Sequence, residues 1–184
     1  TINIMSNLII SSSLNPKSRS RLLALIAFNK LKDMGVAVEW LDLADHPIPL
    51  CDGDSTYSNS KVQELKGKVK NAKGVLLAVP IYNYDVNAAA KNLIELTGDA
   101  WNEKVVGFLC AAGGKGSYMS IMSLANSLML DFRCLILPRF VYSVGEDFGE
   151  DEVTESTVKE RVMELTKELD RLCVALNKSS LKQL

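Results

Sequence analysis

Apolar positions along the chain follow two alternating periods. Leu8, Ile9 and Ile10 form a short unbroken apolar run, the pattern of a strand covered on both faces. Leu22, Leu23, Ile26, Ala27, Leu31 and Met34 then recur at helical spacing, which predicts a helix from about Arg19 to Met34 with Gly35 as its stop. The alternation continues. Val36–Leu43 reads as a second strand, and a polar loop over 44–60 leads to a helix carrying Val62, Leu65, Val69 and Ala72. Val75–Val79 reads as a third strand ended by Pro80, followed by a helix from about Ala88 to Leu96. Val105–Cys110 is a fourth strand, and Met119, Met122, Leu124, Ala125 and Leu128 mark a fourth helix. Cys134–Leu137 is a fifth strand closed by Pro138, and Val158, Val162, Leu165, Leu169, Leu172 and Leu176 make the stripe of a last helix.

Five strands alternating with five helices predict a doubly wound, three-layer α/β architecture. The third and fourth strands are continuously apolar, as in a parallel sheet with helices on both faces. No repeat or second domain interrupts the pattern. Residues 1–184 are therefore expected to form one domain, with 178–184 as a flexible tail. In such sheets a ligand sits outside the carboxyl ends of the strands, so the loops after strands 1, 3 and 4 carry the candidate chemistry.

Composition narrows the field. Lys plus Arg number 21 and Asp plus Glu 22, so no basic excess points to nucleic acid. No apolar run approaches the ~20 residues of a membrane helix, and the N-terminus lacks a signal-peptide pattern. Cys51, Cys110, Cys134 and Cys173 lie at no metal or redox spacing, and they are expected to be reduced thiols of a cytoplasmic protein. His46, the single histidine, reads as a loop residue.

The first loop, 11–20, is rich in hydroxyls and opens a helix. Ser12, Ser13, Asn15, Ser18 and Ser20 are donors beside helix N–H groups that have no partner, a setting that favours an anion. The same residues also suit a turn and an N-cap. The loop has no glycine, which argues against a dinucleotide turn. Gly113-Gly-Lys-Gly-Ser117 looks loosely like a triphosphate loop, but its lysine precedes glycine and it follows the fourth strand. Pro80-Ile-Tyr-Asn-Tyr-Asp85 sets two aromatics and an amide at the crevice, while Gly113 and Gly114 let backbone N–H groups approach a ligand.

Taken together, these loops resemble the NADPH-dependent FMN reductase family, the flavodoxin-like group that includes chromate, quinone and azo-dye reductases. Ser12 to Ser20 resembles its Gly-Ser-x-Arg-x-x-Ser-x-Asn loop. Pro80 to Asn92 resembles its Pro-Glu-Tyr-Asn-x-x-x-Pro-Gly-x-Leu-Lys-Asn segment, with Pro80, Tyr82, Asn83, Lys91 and Asn92 in register. Ala111 to Ser117 resembles its Ser-x-Gly-x-x-Gly-Gly loop. The resemblance implies a flavodoxin-like sheet in order 2-1-3-4-5 and bound FMN, with NADPH or NADH as co-substrate. It implies that Ser12, Ser13, Asn15, Ser18, Arg19 and Ser20 surround the phosphate, that Pro80, Ile81, Tyr82, Asn83 and Tyr84 line the ring, and that Ala112, Gly113 and Gly114 meet its polar edge. Hydride would pass from the nicotinamide to the flavin and on to a flavin, quinone, azo or metal-oxyanion acceptor in a ping-pong cycle. A homodimer or homotetramer is implied, with the loop after strand 3 near the partner. The chain departs from the pattern at Ser12 for glycine, Asn15 for arginine, Ile81 for glutamate, Asn87-Ala88 for Pro-Gly and Ala112 for serine. A flavodoxin-type electron carrier or a non-catalytic binding domain are the alternatives. Carriers tend to be strongly acidic, whereas the net charge here is −1.

Overall fold

Parallel pairing organises the molecule. The computed structural model describes residues 6–180. Its strands are β1 (Asn7–Ser11), β2 (Val38–Asp42), β3 (Gly74–Tyr82), β4 (Asp85–Val86), β5 (Val105–Ala111), β6 (Leu135–Ile136) and β7 (Val141–Ser143). The helices are α1 (Arg19–Asp33), α2 (Ser60–Asn71), α3 (Ala88–Thr97), α4 (Met122–Phe132) and α5 (Ser156–Ser180). The sheet runs β2-β1-β3-β5-β6, with β7 also beside β5 and β4 turning back on β3. β6 and β7 occupy the same edge of β5, so the order is the expected 2-1-3-4-5 with its fifth strand in two pieces.

Alternate side chains of each strand enter different cores. Leu8, Ile10, Leu77, Val79, Val106 and Phe108 pack with α2, α3 and α4 residues such as Leu65, Leu93 and Leu124. Ile9, Leu76, Ala78 and Leu109 pack with Leu23 and Ala27 of α1 and with Val162, Leu165 and Leu169 of α5. Burial on both faces explains why these strands read as apolar runs without alternation. Gly74 is held small by this packing. A methyl there would lie 2.6 Å from Asn7 Oδ1, 2.6 Å from Cys173 Sγ and 2.9 Å from a Leu169 carbon. Gly74→Ala is expected to cost about 1–3 kcal/mol by overpacking, read as a lowered melting temperature.

Two expectations are corrected. Pro80 does not end the third strand, because β3 continues to Tyr82 with Pro80 opposite Ala111. The reason is parity. Ala78 turns its carbonyl to β1, where Ser12 N–H donates to it at 3.0 Å. Pro80 faces the same side, beyond the last β1 pair, Ser11 with Ala78. Its missing N–H therefore costs no ladder bond. The fifth strand is not one run over 134–137, because Leu137–Phe140 breaks it at Pro138 and pairing resumes at Val141.

Helix α5 continues through Ser180, so it takes in the start of the stretch expected to be a tail, and residues 181–184 lie outside the described residues. No helix among the described residues is long and apolar enough to cross a membrane. All four cysteines are free, and burial pushes the Cys134 and Cys173 thiols up to about 11.

Candidate functional site

The loops after β1, β3 and β5 meet around a cavity of about 740 Å³, within the usual range for a small-molecule site. Ser13, Asn15, Lys17, Ser18, Arg19 and Ser20 form one end, while Pro80, Ile81, Tyr82, Asn83, Ala111, Ala112 and Gly113 form the other. Most of the expected site residues thus come together. Lys17 and Ala111 join them, although the hydroxyl and glycine patterns did not single them out.

The hydroxyl end is built on the start of α1. Ser18 is the N-cap, and its Oγ accepts from Arg21 N–H at 3.2 Å and lies 3.0 Å from Ser20 Oγ. Asn15 Oδ1 accepts from Lys17 N–H at 2.9 Å, and Ser13 Oγ accepts from Asn15 N–H at 3.3 Å. These bonds are those of a turn and an N-cap, and capping leaves the remaining first-turn N–H groups available. Among the described residues no carboxylate lines the cavity, and Lys17 and Arg19 stand at its wall. Arg19 also places its guanidinium 5.8 Å from the Phe148 ring centroid. Lys115, by contrast, is paired with Glu146 at 2.6 Å, and Arg139 lines a separate groove with Arg161 and Glu164.

Arg21 is the residue that shapes this loop. Its Nε donates to Asp42 Oδ2, and one terminal nitrogen donates to Asp42 Oδ1 at 3.2 Å and to the Ser13 carbonyl at 3.3 Å. The other donates to the carbonyls of Asn15 at 2.9 Å and Pro16 at 3.1 Å. Three loop carbonyls are therefore drawn onto a cation that is itself neutralised by a buried carboxylate. The hydrogen bond to Asp42 holds the Arg21 pKa above its ordinary value, with burial opposing and the Asp42 charge adding. Asp42 is fixed in turn by accepting from Ala44 N–H at 3.0 Å, and its carbonyl accepts from His46 Nδ1 at 2.8 Å.

The ring-side wall is a hairpin. Ile81 pairs with Val86 and Tyr82 with Asp85, which leaves Asn83 and Tyr84 as a two-residue turn. Both have left-handed φ, 51° and 63°, the pattern of a type I′ turn in which glycine usually takes the second place. A tyrosine there is strained by about 1–2 kcal/mol. Tyr84 is 72% exposed and is not a lining residue of the cavity. Its hydroxyl reaches instead to within 3.5 Å of where a Gly116 methyl would stand. Tyr84→Gly is expected to stabilise the fold by about 1 kcal/mol, seen as a melting temperature higher by about 2–4 °C.

Ser12 is corrected as a cavity residue. It is fully buried, and its hydroxyl lies 2.8 Å from both the Ala78 carbonyl and Asn87 Oδ1. Asn87 is the N-cap of α3 but makes no capping bond with its side chain. Gly114 lines a second groove of about 350 Å³ that shares Gly113 with the cavity. A methyl on Gly113 or Gly114 would meet nothing within 4 Å, so the space above both is open to a ligand.

Residues 5–149 match the family described as NADPH-dependent FMN reductase. The chain is 31% identical over 138 residues to an NAD(P)H-dependent FAD/FMN reductase of Geobacillus thermodenitrificans, covering 73% of this chain and 74% of the relative. It is 26% identical over 157 residues to an NADPH:quinone oxidoreductase of Arabidopsis thaliana, covering 77% and 79%. Among solved structures, an oxidoreductase from Corynebacterium diphtheriae superposes with a TM-score of 0.72 at 19% identity, over 94% of this chain and 98% of that one.

Proposed function

The chain belongs to the NADPH-dependent FMN reductase family, and we propose from that premise that its cavity holds FMN and that the protein passes electrons from NAD(P)H to a small-molecule acceptor. The observation that carries the assignment to this cavity is its polarity. Hydroxyls, a helix N-terminus and two cations stand at one end, with no carboxylate among the described residues, and Pro80, Ile81 and Tyr82 form an apolar and aromatic wall at the other. A phosphomonoester suits the first end, and a flat ring suits the second. FMN, when bound, supplies the hydride acceptance and electron delivery that no side chain of the cavity provides.

The chain's own part is binding and orientation. Ser13, Asn15, Ser18 and Ser20 hold the phosphate, with Lys17 and Arg19 adding charge where the departure at Asn15 removes an arginine. Tyr82 and Asn83 set the ring plane. Ala112 and Gly113, with Gly114 beside them, bring backbone to the ring's polar edge, where donors stabilise developing negative charge. A quinone, an azo compound, a free flavin or a metal oxyanion is the acceptor class, the quinone and flavin in keeping with the Arabidopsis and Geobacillus relatives. Assembly of two or four copies belongs to the same proposal, since Tyr82, Tyr84 and Met119 expose 53%, 72% and 63% of their surface. So does a cytoplasmic setting, which the four free cysteines support.

The test is steady-state oxidation of NADPH and NADH by purified protein with FMN and a quinone. Turnover that needs all three components, with parallel lines at varied quinone, is expected. A protein that takes up FMN but oxidises neither nicotinamide would instead be an electron carrier.

A further inference from the structure

Two departures from the resembled pattern, Ser12 for glycine and Asn87 for proline, are in direct contact. The one Ser12 hydroxyl proton is shared between Asn87 Oδ1 and the Ala78 carbonyl, each 2.8 Å away, and Asn87 Nδ2 donates to the Ser12 carbonyl at 2.8 Å. The residues are 75 positions apart in sequence and only 0% and 6% exposed. Neither glycine nor proline has a side chain able to make this pair. The Asn87 backbone, at φ −65° and ψ 148°, is one that proline also adopts, so its identity is not dictated by conformation. Its amide also forgoes the capping bond that asparagine makes at helix starts.

We infer that Ser12 and Asn87 act together as a positioning link between the two ends of the cavity. Ser12 immediately precedes Ser13 of the hydroxyl end. Asn87 immediately follows β4, which pairs Ile81 and Tyr82 of the ring-side wall. The link fixes the distance between phosphate loop and hairpin, and only a ligand that reaches both ends senses that distance. The inference rests on the flavin reading of the cavity. It goes beyond that reading by assigning preorganisation to two buried residues outside the cavity lining, one of them a helix cap that does not cap.

FMN spans both ends, whereas riboflavin has the ring without the phosphate. The test measures the dissociation constants of both, by flavin fluorescence, for the wild type, Ser12→Ala, Asn87→Leu and the double variant, together with their melting temperatures. Each single variant is expected to weaken FMN about tenfold, as befits one lost buried hydrogen-bonded contact, and riboflavin by less than about twofold. The double variant should be little worse than either single, the non-additivity of a shared contact. It no longer strands Asn87 Oδ1, so it carries the comparison if Ser12→Ala does not fold, while Asn87→Leu and the double variant alike leave the Ser12 carbonyl without its amide donor. Equal losses for FMN and riboflavin, or a double variant equal to the product of the singles, overturn the link. A wild-type protein that binds neither flavin overturns the reading beneath it, and this is seen before any variant is made.

Discussion

Ser13→Asp is expected to weaken FMN binding by about 100-fold or more, with a smaller loss of folding stability. A carboxylate there faces a phosphate of roughly −1.5 to −2 charge. At an effective dielectric constant near 20, each pair of unit charges about 4 Å apart repels by about 4 kcal/mol. Part of that is relieved by water and by Lys17 and Arg19, which line the same end, and about 3 kcal/mol suffices for the stated loss. Ser13 is 2% exposed and lies five positions ahead of the Ser18 cap, so the carboxylate also costs the fold part of its desolvation penalty, and the loss of FMN affinity is the larger effect. Fluorescence titration with FMN and a thermal melt separate the two effects. Unchanged FMN affinity would place the phosphate elsewhere.

Arg21→Ala is expected to affect both properties. It removes the guanidinium donors now spent on Asp42 and on the carbonyls of Ser13, Asn15 and Pro16, leaving Ala44 N–H as a donor to Asp42. Asp42, 4% exposed, is left as a buried carboxylate without its counter-charge, a loss of about 3–5 kcal/mol for such a pair. The freed loop carbonyls are then able to turn toward the anion end, so FMN affinity falls along with stability. Denaturant unfolding reads the first effect and titration the second. Adding Asp42→Asn to Arg21→Ala should recover part of the stability, since it removes the stranded charge, but not the FMN affinity, since the loop remains unclamped. Recovery of both would show that Arg21 serves the fold alone.

What the sequence displayed and what it concealed follow from the range of the interactions. Leu8 to Ile10 and Val75 to Val79 are legible as strands because burial on both faces is written into consecutive residues. The hydroxyl loop is legible because Ser18 caps the helix that starts one residue later. Pro80 misleads because whether a missing N–H matters depends on which neighbouring strand has already ended, and that is settled only when β1 stops at Ser11. The clamp and the link are invisible for the same reason. Arg21 meets Asp42 across 21 positions, and Ser12 meets Asn87 across 75. Read alone, Ser12 and Asn87 look like two weaknesses in the resemblance, whereas their contact makes them one compensated feature.

The most direct measurement is a parallel titration of flavin-free protein with FMN and with riboflavin. Saturation by FMN at micromolar concentration or below, with riboflavin weaker by about 100-fold, is the expected result, because several charge-assisted hydrogen bonds of about 1.5–3 kcal/mol each depend on the phosphate. Equal affinities for the two flavins, or no saturable binding of either, would contradict a phosphate cradle at the start of α1.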